Sequence, residues 1–181
     1  MLTESNKILN FWADAGPERW WSKDPSFDAL ILSHFGRLHQ RAAMGGCDDW
    51  EFQGPNAALA LIIVLDQFSR NLYRDSPAAY ACDAKALAIV HRLMKNGDDR
   101  RMRDDIGQFL YMPLMHSENL SDQDISVRET ARIEGPDDLK SAHRHRDIIA
   151  RFGRFPHRNA VLGRVSTPAE IAFLKNGGFS G

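Results

Sequence analysis

Apolar residues recur every three or four positions along most of the chain. Over residues 25–44, Phe27, Leu30, Ile31, Phe35, Leu38 and Ala42 fall on one stripe, the spacing of an amphipathic helix. Asp24 ahead of Pro25 predicts its start, a carboxylate N-cap before a proline whose φ suits the first helical position. Gly45-Gly46 predicts its end. Residues 55–72 predict a second helix, apolar on every side through Leu65 and therefore interior. Ser76-Pro77 opens a third over 76–96, with Cys82 in its middle and Asn96-Gly97 at its close. A fourth runs over 104–115, kinked or ended by Pro113. Ser121 caps a polar helix over 121–134 that Gly135-Pro136 closes, and 137–152 predicts another, with Leu139, Ile148, Ile149 and Phe152 as its apolar contacts. Gly153 and Pro156 then break the chain into a loop. Thr167-Pro168-Ala-Glu170 reads as a capping box that opens a short helix to about residue 175. A short helix over 3–12 leads the series. No segment shows the period-two alternation of a strand.

The fold class is therefore all-α. Short connections favour antiparallel neighbours, and the elements pair as 25–44 with 55–72, 76–96 with 104–115, and 121–134 with 137–152. That pairing predicts an antiparallel helix-hairpin stack, a tetratricopeptide-like superhelix, in a single helical domain over residues 1–181. No 34-residue consensus recurs in the letters.

Composition narrows the function. With 181 residues and 43% hydrophobic content, the chain can close one core without a disulfide or metal. The balance of 23 Lys+Arg against 24 Asp+Glu, net -1, gives no global argument for nucleic acid. Cys47 and Cys82 have no paired or metal-type spacing, which points to a reducing compartment. The start lacks a signal pattern, and the longest strongly apolar run, over 57–65, is far short of the ~20 residues of a membrane helix. A cytoplasmic protein without membrane contact is expected. There is no Gly-x-Gly-x-x-Gly, Walker or Gly-x-Ser-x-Gly pattern, so no cofactor is expected. Trp20-Trp21 suits helix-lid packing or a stacking surface.

Three segments place dense polar groups where apolar ones should continue. The first ends the interior helix, Asp66-Gln-Phe-Ser-Arg70-Asn71. Asp66 and Arg70 are four apart and share a face, as an exposed i,i+4 pair or as a buried pair at a pocket wall. The second is Met115-His116-Ser-Glu118. His116 suits a satisfied core or cap histidine, or an acid/base group beside Glu118. On a helix these two point about 200° apart, so they converge only if the helix ends between them. The third is the run from His143 to Asn159, with arginines at 144, 146, 151, 154 and 158 against one carboxylate, Asp147. Beyond Gly153, Arg154, His157, Arg158 and Asn159 fall close together. Arginines on a loop stiffened by Gly and Pro can grip a carboxylate or phosphate bidentately, or can pin the loop to Asp66, Glu118 or helix carbonyls. His116, Glu118, His145 and His157 can be drawn around a metal, but none has the His-x-x-x-His spacing of a helical zinc site, so no metal is expected.

These same strings carry a resemblance. Asp66-Gln-Phe-Ser-Arg-Asn71, Met115-His-Ser-Glu118, His145-Arg-Asp, Arg151-Phe-Gly-Arg-Phe-Pro-His-Arg-Asn159 and Ser166-Thr-Pro-Ala-Glu170, with Phe11-Trp12 and Trp20-Trp21-Ser-Lys-Asp-Pro-Ser-Phe-Asp28, resemble the bacterial domain-of-unknown-function 924 family. The likeness runs from about residue 8 to 174. It departs at Ser69, where the family often has proline. It implies an all-helical fold similar to tetratricopeptide-repeat proteins and no established activity.

Two functional readings follow. In one, a pocket binds a small anionic molecule through Asp66, Arg70, Asn71, Arg154, Arg158 and Asn159, with His116, His157 and Glu118 as the groups that would move protons if chemistry follows. In the other, the chain is a helical module that binds a partner peptide, and the polar residues form a structural network.

Overall fold

A computed structural model describes residues 2–103, 105–135 and 139–179. Among them are helices and turns and no strand, so the fold is all-α. The chain divides into two compact units, Met1–Arg74 with Ala78–Pro113, and Asp75–Pro77 with Leu114–Gly181.

The first unit opens with α1 (Glu4–Trp20), capped by the Thr3 side chain. It runs past the predicted limit of residue 12 as far as a kink at Gly16, φ +71°, beyond which Pro17 starts a further turn. Trp20 Nε1 donates to the Trp12 carbonyl at 2.7 Å across that kink. Helix α2 (Pro25–Ala43) begins as expected, with Asp24 accepting the N–H groups of Ser26 and Phe27. Helix α3 (Pro55–Ile62) packs on α1. It continues through a π-helical stretch, Ile63–Phe68, into α4 (Ser69–Leu72). From Ala58 to Phe68 every residue is buried, as the all-round apolar pattern requires. Trp12, Phe27, Phe68 and Phe109 interlock at ring separations of 5.3–5.9 Å, and Trp20 and Trp21 pack on Phe109.

Two further helices in this unit differ from expectation. The predicted helix 76–96 is a 3₁₀ turn, Pro77–Tyr80, followed by α5 (Asp83–Asn96). Cys82 is thus the N-cap residue of α5 and does not sit mid-helix. The predicted helix 104–115 shrinks to a 3₁₀ turn, Gly107–Leu110, and α6 (Met112–His116). Pro113 lies in the first turn of α6, where its missing N–H costs nothing, so it begins a helix instead of ending one. The start of that prediction, at Asp104, lies outside the described residues.

In the second unit α7 (Leu120–Glu134) is capped by Asn119, whose side chain accepts the N–H of Ser121. The cap is not Ser121 itself. Helix α8 (Lys140–Phe152) packs on α7 and stops at Gly153, which takes φ +68°. The Pro136 stop and Asp137 start predicted between them lie outside the described residues. A 3₁₀ turn, Pro156–Arg158, leads toward α9 (Pro168–Lys175), which carries the predicted Thr167/Glu170 capping box. Ile148, Ile149 and Phe155 form one core cluster of this unit, with Phe152, Phe173 and Phe179 packed against them.

Candidate functional site

Asp66, Arg70 and Asn71 belong to the first unit; the other six candidate residues belong to the second. In the first unit the π-helical stretch delivers Asp66 into the core with no exposed surface. Its Oδ2 accepts from Gln67 at 2.6 Å and its Oδ1 from Arg70 at 3.0 Å. Arg70 also donates to the Asp66 carbonyl and grips Asp83 with both terminal nitrogens, each at 3.0 Å. Burial works against the Arg70 charge, but Asp66 and Asp83 outweigh it, and its pKa lies above the ordinary arginine value. Asn71 donates to Asp28 at 2.7 Å, beside a fork from Arg74 onto the same carboxylate. Ser69 Oγ donates to the Leu65 carbonyl at 2.6 Å and accepts from His39 Nε2 at 2.7 Å. Burial lowers the His39 pKa. Charged groups desolvated like these are retained only when each has partners, and here each does.

In the second unit α6 ends at His116, the condition under which His116 and Glu118 can turn the same way. Glu118 Oε1 accepts the Phe155 N–H at 2.8 Å, and both of its oxygens take the Arg164 guanidinium, at 2.7 and 3.0 Å. Burial alone would raise the Glu118 pKa, but the Arg164 fork and the Phe155 N–H hold it below the usual value. Arg154 forks onto Glu170 at 2.6 and 2.8 Å and donates to the Val165 carbonyl. That fork, together with the Thr167 contacts, lowers the Glu170 pKa to about 2. Asn159 is fully buried and donates to Ser166 Oγ at 3.0 Å.

The histidines gather behind this loop. His145 Nδ1 donates to the Ser141 carbonyl at 2.8 Å, and its ring meets Phe155 and Phe179. The His157 ring lies against the same two phenylalanines. Arg158 is buried, its guanidinium 4.4 Å over the Phe155 ring. Burial, with smaller contributions from Arg158 and from His116, lowers both His145 and His157 to a pKa of about 4. His116, His145, His157 and Arg158 are therefore one cluster, and at neutral pH His145 and His157 carry no charge. His157 Nδ1 and Asn159 Oδ1 are buried without a hydrogen bond, which is uncommon for such atoms. Among the described residues no group of three or more His, Cys, Asp or Glu is arranged to hold a metal ion.

Beside the cluster, α8 and the segment from α9 to Phe179 enclose a groove of about 710 Å³. Its floor is Ile148, Phe152 and Phe173, and its cations are Lys140, Arg144 and Arg151. Arg151 lies 4.7 Å over the Phe152 ring and 5.8 Å from Phe173; Arg144 lies 4.9 Å over Phe179. Among the described residues neither has a carboxylate partner. Asp147, on the rim, is highly exposed and pairs with Arg146 instead. The sequence carried a signal for this face that the candidate list left out: 140, 144, 148 and 151 recur at helical spacing on α8.

The model of the DUF924 family, described as a bacterial protein of unknown function, matches residues 8–178. The chain belongs to the DUF924 family. A solved structure of a protein of unknown function from Agrobacterium tumefaciens is 37% identical, with a TM-score of 0.88 over 96% of this chain and 97% of that one. No curated protein is similar to the chain. The motifs read from the sequence all fall inside the DUF924 match, as does the groove between α8 and α9 except for Phe179. No helix among the described residues is long and apolar enough to cross a membrane.

Proposed function

We propose that this DUF924 protein binds a small anionic molecule in the second unit, in the groove beside α8. The observation that carries this reading is a contrast between arginines. Arg70, Arg74, Arg154 and Arg164 are each forked onto a carboxylate of the fold. Arg144 and Arg151 lean on aromatic rings at the groove wall, and no acid among the described residues takes their donors. A guanidinium stacked on a ring is held in place while its N–H fork stays available for a carboxylate or phosphate. The cavity volume falls in the range of small-molecule sites, roughly 300–1,000 Å³. The neighbouring cluster holds His116, His157 and Glu118, the groups that would move protons if chemistry follows, with Arg158 and Asn159 beside them. Burial lowers the His157 pKa to about 4, so this imidazole is neutral at pH 7 and a weak base. Two free, buried cysteines support a cytoplasmic location.

A thermal-shift panel of phosphorylated and carboxylated metabolites tests this. A ligand at a hundred times its Kd adds about 2.7 kcal/mol, a rise of several degrees for a chain of this size. We expect at least one compound to give that rise and the double substitution Arg144→Ala, Arg151→Ala to abolish it. Unchanged melting across the whole panel would overturn the reading.

The saturation of Asp66, Arg70, Asn71, Glu118 and Arg154 by partners within the fold favours a second role for those residues, as ties between helices and loop. This supports the alternative of a tetratricopeptide-like interaction module for the surfaces that carry them.

A further inference from the structure

We infer that the space filled by the Phe179 ring is an aromatic subsite of this groove, and that the ligand is an aryl carboxylate whose ring takes the place of Phe179. The inference rests on the proposed anion site and specifies its ligand.

Three neighbours define the subsite. The Arg144 guanidinium covers the ring at 4.9 Å, and the imidazoles of His145 and His157 meet it edge-on at 4.6 and 5.2 Å. A cation over one face and imidazoles at steep angles are the surroundings an aromatic quadrupole selects. The fold thus already holds a phenyl group here. The group that fills the space arrives on a turn of its own. Gly177 takes φ +76°, and a side chain on Gly178 would start 2.5 Å from the Phe173 carbonyl and 2.7 Å from its ring. These two glycines let the chain double back after α9 and lay Phe179 beside Arg144. Phe179 itself is only partly buried. The rings of Phe152 and Phe173 continue the apolar surface, and Lys140 and Arg151 stand on the same face of α8, where they can receive a carboxylate attached to the ring. A ligand lacking the ring forfeits the stacked position, and one lacking the charge leaves the cations of the wall unanswered.

Benzoate, acetate and benzyl alcohol serve as probes, titrated calorimetrically into the wild type, Phe179→Ala and Phe179→Ala with Arg144→Ala. Vacating the ring position in Phe179→Ala should tighten benzoate binding at least tenfold over wild type. Benzoate should also exceed acetate and benzyl alcohol by at least tenfold in that variant, and the added Arg144→Ala should remove the gain. In the wild type, benzoate should shift the aromatic NMR signals of Phe179, a readout that does not depend on the variant folding. If acetate binds as well as benzoate, the anion site stands and the aromatic subsite does not. If benzyl alcohol matches benzoate, the inference also fails, since the charge then plays no part. If no anion binds any form, both readings fall together.

Discussion

Arg164 holds both oxygens of Glu118, forty-six residues away in the chain, while the same carboxylate accepts the backbone N–H of Phe155. A single acid in the turn after α6 thereby fixes the loop that follows α8 at two points. The loop carries His157 and Arg158 of the histidine cluster and leads on to α9 at the groove, so this pairing positions the candidate site. Removing the acid should cost about 2–3 kcal/mol, since it abandons charge-assisted bonds from partners that are themselves half-buried. Urea denaturation of Glu118→Ala measures this. A loss under about 0.5 kcal/mol would mean that Glu118 is available for other work.

Asp66 offers a sharper case because it has no exposed surface. Asp66→Asn leaves Arg70 paired with Asp83 alone in a desolvated setting, and breaking a buried pair in this way costs about 3–5 kcal/mol. The equilibrium midpoint in urea should fall accordingly with little change in slope. Stability within 1 kcal/mol of the wild type would contradict the network described for this helix.

Acid should weaken the protein in two stages. His145 and His157 have folded pKa values of about 4, below the ordinary 6.5, so below pH 6.5 the unfolded chain takes up protons that the folded chain refuses. Stability is therefore full above pH 6.5 and declines as pH falls toward 4. For the well-buried His145 the full effect is about 3 kcal/mol. The groups acting on it are the Ser141 carbonyl, His116, Arg158 and Arg144. Glu170 adds a later stage, because its depressed pKa of about 2 withdraws stability between about pH 4.5 and 2. Unfolding free energies measured from pH 7.5 to 4.5 should slope downward in the wild type and less steeply in His145→Gln. Equal slopes would refute the assignment.

Thr167→Ala removes one hydrogen bond of the α9 cap and should cost about 1 kcal/mol. Glu170→Ala should cost more, because Glu170 also receives the Arg154 fork. Thermal melts of the two variants decide the order, and a reversed order would separate Arg154 from the stability of this turn.

Local signals foretold the fold where capping chemistry is self-contained. Asp24-Pro25 and Thr167-Pro168-Ala-Glu170 each hold donor, acceptor and fixed φ within four residues, and both boundaries are where the letters put them. Pro113 misled because a proline suits the first turn of a helix as well as the residue after its last, and only the neighbours settle which. The π-helical turn left no trace in an all-apolar stretch, where every phase buries the same kind of side chain. For the site, the arginine-rich run was visible, but which of its members are consumed was not. Arg154 finds Glu170 and Glu118 finds Arg164 through tertiary approach, while Arg144 and Arg151 stand apart only by having no such partner among the described residues.

The π turn at Ile63–Phe68 has a bearing on insertion and deletion. Each residue in a helix advances the side-chain direction by about 100°, so the wide turn sets the azimuth of everything downstream. Arg70, Asn71 and Arg74 meet Asp83 and Asp28 because of that offset. Excising one residue from the turn would leave a sound α-helix whose polar end is dialled away from both acids, and a frame-preserving loss of three bases there would be more damaging than most substitutions in the same stretch.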